Sequence, residues 1–178
     1  MSSLTVYHQS SPDVPSKLLT HDEDIAATLA EVGVGFERWP VEVSLKPGQS
    51  QDEVLGALRP SLDELMVERG YAGVEVLSQS CSRAYQDEPQ VEMLEELCTA
   101  EAQGHLLAAG RGLFNLHIGE HVFAVLCEKD VLLSLPSATR YWFDQGAFPH
   151  VIVLEMRTGP AASCTGDPIA SAFPRLEA

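Results

Sequence analysis

From about residue 105 onward the chain breaks into short apolar stretches, each bounded by turn-forming residues. Segments 113–118, 122–128, 131–135, 140–143 and 151–156 each read as a strand. Gly119-Glu120 and Lys129-Asp130 supply the turns between consecutive pairs. Short antiparallel strands recurring about every eight to twelve residues bury their apolar faces against one another, which predicts a jelly-roll barrel. The fold class expected is mainly β (α+β), with N-terminal helices packed on the outside of the barrel.

The first half has a different texture. Residues 4–6 predict a first strand, followed by a polar loop through Ser10-Ser11-Pro12. Thr20-His21-Asp22-Glu23 reads as a capping box, with Ile25, Leu29 and Val32 at helical spacing behind it and Gly33 closing the segment. Residues 50–70 predict a second helix on the stripe Val54, Leu58, Leu62, Leu65 and Met66, interrupted by Pro60 and stopped at Gly70. Residues 71–78 alternate as a strand, and 90–97 predict a third helix with Val91, Leu94 and Leu97 on one face. The whole chain, 1–178, is expected to be one domain: 1–97 flanks the barrel, and 98–178 makes its core and tail.

Composition narrows the function classes. A chain of 178 residues with 45% hydrophobic content can bury a real core. A net charge of −15, from 26 acids against 11 bases, excludes partners that present phosphate, whether nucleic acid or an anionic lipid surface. The start, Met1-Ser2-Ser3-Leu4-Thr5-Val6-Tyr7-His8, has neither a basic run nor an apolar one, so no signal peptide is expected. No stretch approaches the ~20 apolar residues of a membrane helix. Cys81, Cys98, Cys127 and Cys164 form no CxxC pair, which argues against structural zinc and for reduced thiols in the cytoplasm.

Specific wording in the chain goes further than pattern. The runs Glu95-Glu96-Leu97-Cys98-Thr99-Ala100-Glu101-Ala102-Gln103-Gly104-His105, Ala109-Gly110-Arg111-Gly112-Leu113-Phe114-Asn115-Leu116-His117 and Pro136-Ser137-Ala138-Thr139-Arg140-Tyr141-Trp142-Phe143-Asp144 carry it. So do Phe36-Glu37-Arg38-Trp39, Val125-Leu126-Cys127-Glu128-Lys129 and the tail from Cys164 to Leu176. Together they resemble the acireductone dioxygenases, small metal-dependent cupins of methionine salvage. The resemblance implies a cupin barrel in which three imidazoles and a carboxylate hold one Fe or Ni ion that chelates an enediol. The four positions matching those ligands read Leu97, Thr99, Gln103 and Tyr141. Leu97 has no donor atom, Thr99 and Gln103 offer neutral oxygens, and a tyrosine ligates well only as phenolate.

Strand parity aims Thr99, Gln103, His105, Tyr141 and Phe143 into the barrel and Trp142 out of it. His105 stands where the resemblance implies an Arg that holds substrate. Its imidazole suggests a general acid or base near neutral pH, with Tyr141 donating to an enolate oxygen and Gln103 fixing orientation. The expectation is therefore a metal-independent enzyme of isomerase, lyase or cyclase type, without cofactor, acting on a small enediol or keto-acid metabolite. Its catalytic residues would be His105, Tyr141 and Gln103, with Leu97, Thr99 and Phe143 binding substrate. Two other readings stay open: a non-catalytic relative that binds a ligand or regulates a protein partner such as an active paralogue, and a metal-dependent acireductone dioxygenase using Fe or Ni on atypical ligands.

Three remaining motifs are set aside on spacing. Cys98, Glu101 and His105 match no familiar metal pattern, and His117 is assigned to a surface or packing role because a turn separates it from His121. Gly110-Arg111-Gly112 lacks the rest of a phosphate loop and reads as a turn.

Overall fold

The computed structural model describes residues 2–80 and 94–176. The stretch 81–93, which carries Cys81 and the first half of the third helix expected over 90–97, lies outside the described residues. Where that expectation can be tested it fails: Leu94 to Glu96 are not helical, and Leu97–Cys98 forms a strand.

Strands β1 (Ser3–His8) and β2 (Pro15–Leu19) precede helix α1 (Asp22–Ala30). Strand β3 (Gly35–Arg38), helix α2 (Gln51–Arg69) and strand β4 (Gly73–Ser80) follow. The barrel proper comes from β5 (Leu97–Cys98), β6 (Gln103–Ile118), β7 (His121–Glu128), β8 (Val131–Leu135), β9 (Arg140–Asp144) and β10 (His150–Arg157). A short β11 (Ser163–Cys164) and a 3-10 turn over Pro168–Ala172 lead to the C-terminus.

The 16-residue β6 joins two antiparallel sheets. Its first half pairs with β8 and β10, giving the order β4-β10-β6-β8-β3. Its second half pairs with β7 and β9, giving β11-β5-β9-β6-β7-β1-β2. The two sheets face one another in a mainly β, cupin-type arrangement. The strand crosses between them at Gly110, whose φ of 71° is in the left-handed region. A Cβ there would overlap the carbonyl oxygen of His150, so neither the conformation nor the space admits a side chain. Gly110-Arg111-Gly112 is thus a corner inside one strand and not a turn between two.

Between the sheets lies an apolar interior built from Leu4, Val6, Leu107, Phe114, Leu116, Val125, Leu133 and Val153. Ile25 and Leu29 of α1 pack into this same cluster. The capping box expected at Thr20 does not form. His21 is the N-cap and makes no side-chain cap bond, while Asp22, Glu23 and Asp24 fill the first turn, where negative charge complements the helix dipole. Helix α2 lies on the outer face of the first sheet, with Val54, Leu58, Leu62 and Leu65 against Leu106, Leu132, Ile152 and Leu154. Its ends are as the sequence predicts: Ser50 accepts from the Glu53 amide, and Gly70 closes it at φ 76°. The outer face of the second sheet is covered by the tail. There Trp142 and Val122 pack against Ala170 and Phe173, and Trp142 points outward as strand parity requires. Among the described residues, no helix is long and apolar enough to cross a membrane.

Candidate functional site

Between the sheets is a cavity of about 310 Å³, of a size that holds a small metabolite. Leu97, His105, Phe114, Tyr141, Phe143, Val153 and Glu155 line it, with Glu75, Val76 and Leu77 at one side. Four of the six expected site residues, Leu97, His105, Tyr141 and Phe143, therefore meet at one place. The reason is register. Leu97 pairs with Tyr141 across β5 and β9, and Leu116 pairs with Tyr141 across β6 and β9, which brings three strands to one wall. The rings pack closely: Phe143 stacks on Phe114 at 4.3 Å between centroids, and His105 lies 5.0 Å from Phe114 and 5.5 Å from Tyr141. Gly112 makes room for this, because a Cβ there would overlap the Phe143 ring.

Gln103 is buried just behind the lining, where its Oε1 accepts a long hydrogen bond of 3.4 Å from the Tyr141 hydroxyl. Thr99 is not brought to the cavity. Its hydroxyl donates to the Pro136 carbonyl at 3.0 Å and accepts from the Thr139 amide at 2.9 Å, so both functions are spent on backbone. What Thr99 does is fix the loop that leads into Tyr141.

Sequence reasoning missed Glu155. It sits directly opposite His105 on β10 and directly opposite Glu75 on β4, so the three side chains form a row across one sheet face. The available signal was parity: Val151, Val153 and Glu155 share a face, and an acid on an inward face of an apolar strand needs a reason. Arg157 holds it, with Nε 3.6 Å from Glu155 and an ion pair to Glu75. Burial raises the Glu155 pKa, Glu75 adds to the rise, and Arg157 opposes it.

The electrostatics correct the acid–base expectation. Burial lowers the His105 pKa to about 3, so its imidazole is neutral across the physiological range. Burial also raises the Tyr141 phenol, with Glu155 adding to the rise and Arg157 opposing it. Neither group changes charge near neutral pH. They are hydrogen-bonding groups, and His105 Nε2 and Gln103 Nε2 are both buried without a partner.

The resemblance implies an Fe or Ni ion held by these same positions. They do not fit it. Leu97 has no donor, the Thr99 hydroxyl is committed, Gln103 offers an amide, and Tyr141 is held as the neutral phenol, a poor ligand. A different donor set exists on the opposite face of the second sheet. Glu96 immediately precedes Leu97, and His117 immediately follows Leu116, so both point away from the cavity. Glu96 Oε2 lies 2.7 Å from His117 Nδ1, and Glu96 Oε1 accepts from the Thr165 hydroxyl at 2.8 Å. His117 Nε2 is 3.1 Å from Gln9 Oε1. With Asp167 from the tail, these residues bring three possible metal-ligating atoms within 4.8 Å of one another. His117 is thus buried in a polar network, which the turn beside it concealed.

A β sandwich of this topology with a small cavity between the sheets defines the class as a cupin-type barrel. The model of the ARD/ARD' family matches residues 4–159. The chain belongs to that acireductone dioxygenase family. It is 49% identical over 180 residues to the acireductone dioxygenase of Pseudomonas fluorescens (strain Pf0-1), covering 99% of both chains. Identity is 50% to that of Pseudomonas syringae pv. syringae (strain B728a) and 49% to that of Stutzerimonas stutzeri (strain A1501), at the same coverage. A solved acireductone dioxygenase from Bacillus anthracis, with a cadmium ion in its active centre, matches with a TM-score of 0.67 at 17% identity, over 91% of this chain and 95% of that one. That likeness bears on the fold.

These findings overturn the expectation of a chain without a metal cofactor. Relatives half identical over their whole length are acireductone dioxygenases by name, and this chain gathers three possible metal-ligating groups at Glu96, His117 and Asp167. The isomerase, lyase or cyclase expectation goes with it, since the relatives are oxidoreductases and the two proton-transferring candidates do not titrate in the useful range.

Proposed function

We propose that this chain is a cytoplasmic, metal-using oxidoreductase of the acireductone dioxygenase family that takes an enediol of the acireductone type into the cavity walled by Phe114, Tyr141 and Phe143. The observation that carries the reading is whole-length identity of about one half to proteins named acireductone dioxygenase. A cavity of metabolite size with few polar groups supports it. The chain's own residues bind and orient: the aromatic rings and Leu97 sandwich a planar ligand and exclude water, while His105, Gln103 and Tyr141 hydrogen-bond its oxygens. Thr99 acts from behind by holding the loop before Tyr141. A second reading is favoured by the four positions without imidazole or carboxylate: a relative that has kept the ligand cavity and binds the metabolite without turning it over.

The test is dioxygen consumption by purified protein given an acireductone, with Fe(II) or Ni(II) supplied or withheld, alongside elemental analysis. Metal-dependent uptake is the expected result. Stoichiometric binding of the enediol with no uptake under any metal favours the second reading, and absence of both overturns the two together.

A further inference from the structure

The inner face of the first sheet carries a charged cluster at one side of the cavity. On β10, Val151 and Val153 face the interior while Ile152, Leu154 and Met156 pack on the outer side under α2. Strand parity therefore puts Glu155 and Arg157 on the inward face as well. Register sets Glu155 between Glu75 and His105, and sets Arg157 between Gly73 and Gln103. Arg157 thus stands one rung beyond the His105 row, opposite the residue whose Oε1 takes the Tyr141 hydroxyl. Its charge is felt at the cavity wall, where it opposes the rise that burial gives the Tyr141 phenol.

Among the described residues, no Lys or Arg lines the cavity itself. Glu75 does, and it also lines an open cleft of about 420 Å³ to which Gly73 and Arg157 contribute. Paired with Arg157 Nη2, the Glu75 side chain is the wall that the two spaces share. The members of this cluster differ in how firmly they are held. The Arg157 and Glu155 side chains are 14% and 28% exposed, whereas Glu75 is 66% exposed. An ion pair with so exposed a partner contributes little, because water solvates the carboxylate once it swings away. Glu155 approaches the other edge of the guanidinium, 3.6 Å from Nε. Releasing Glu75 therefore frees the Nη end of the fork and leaves Arg157 its second carboxylate. Space is available beside it: a Cβ at Gly73, directly opposite, would meet nothing within 4 Å.

An enediol of the acireductone type is an anion at neutral pH. On a chain of net charge −15 it needs a cation placed to meet it. We propose that Arg157 is the anion-recognition residue of the cavity and that Glu75 holds the ligand's place. An enediolate oxygen displaces the Glu75 carboxylate from the Nη end of the guanidinium, and Glu75 turns out to water. This rests on the enediol reading above and adds the group that meets the ligand's charge. The ligand class it defines is a small planar monoanion.

Benzoate and benzamide make a suitable pair of probes, being planar and similar in size but different in charge. Binding to the full chain is measured by calorimetry at neutral pH after chelator treatment, so that no metal receives the anion. Wild-type protein is expected to bind benzoate at least threefold more tightly than benzamide. Glu75→Gln is expected to raise benzoate affinity at least fivefold and to leave benzamide within twofold. Arg157→Gln is expected to lower benzoate affinity at least tenfold, again sparing benzamide, and Arg157→Lys to restore part of the loss. Glu75 is exposed, so its variant carries the test if the Arg157 variants fail to fold. The inference is overturned if wild type does not prefer benzoate, or if Glu75→Gln leaves benzoate affinity unchanged or lowers it. A folded Arg157→Gln that keeps the preference overturns it equally. Dioxygen uptake with an acireductone decides the enediol reading separately. Uptake without benzoate preference sinks the role of Arg157 alone, and benzoate preference with neither uptake nor enediol binding sinks that reading while the anion site stands.

Discussion

Substituting Gly112 by alanine should damage the cavity while leaving the barrel standing. A Cβ at 112 would overlap Cε2 and Cζ of Phe143, and Gly112 lies outside the left-handed region, so the added methyl meets only the ring. Ordinary carbon–carbon contact is about 3.5–4.0 Å, so the ring has to move by more than about 1 Å. It is stacked on Phe114 on one side and borders the cavity on the other. The open direction is into the cavity. Overpacking of this kind costs roughly 1–3 kcal/mol, or about 2–12 °C in Tm for a domain of this size. Affinity for an enediol ligand should fall at least tenfold as the ring occupies ligand space. Thermal unfolding and calorimetry on the same sample measure both. The companion variant Gly110→Ala tests the contrast, because its Cβ meets the His150 backbone carbonyl in a left-handed conformation and neither can yield. It should cost more than about 4 kcal/mol and abolish soluble folded protein. If Gly112→Ala keeps wild-type affinity, or if Gly110→Ala is tolerated, the packing assigned to this corner is wrong.

Three further outcomes follow from particular contacts. Because the folded pKa of His105, about 3, lies below the unfolded value of about 6.5, the unfolded chain takes up the extra proton between them. Stability should therefore be fully present above about pH 6.5 and fall as pH drops toward 3, by up to the order of 5 kcal/mol from this group; His105→Leu should flatten that slope in denaturant titrations. Asp144 is buried and accepts from the Gly146 amide at 2.8 Å, the Leu176 amide at 2.7 Å and Arg175 Nε at 2.9 Å, so Asp144→Ala should cost about 3 kcal/mol and expose the tail to limited proteolysis near Phe173. Ser50→Ala removes the acceptor for the Glu53 amide and should lower Tm by about 2–4 °C, a loss of roughly 1 kcal/mol, with ligand binding unaffected.

Much of this architecture was legible before any coordinates. The periodicities behind β7 to β10 and α2, the Ser50 cap and the Gly70 stop are local properties, set by residues within a turn or a strand of one another. Family wording was equally local, which is why the cupin class and the inward aim of His105, Tyr141 and Phe143 could be read from the chain. The misread elements were those where a competing local signal looked sufficient. Thr20 and Glu23 satisfy a capping box on paper, yet the cap falls one residue later, at His21, and Asp22 in the first turn also serves Arg38 at 2.8 Å.

Tertiary structure alone decided the rest. Glu155 reaches His105 only through the pairing of β10 with β6, fifty residues apart, and nothing near either residue encodes that register. Glu96, His117 and Asp167 come from three distant segments, and His117 joins them only because β6 turns one face toward the tail. Burial, which no neighbour in sequence supplies, made His105 a neutral hydrogen-bonding group instead of an acid or base. Residue types determined the barrel and the list of groups available to it; the long-range register of its sheets determined which of those groups share a wall, and in which charge state.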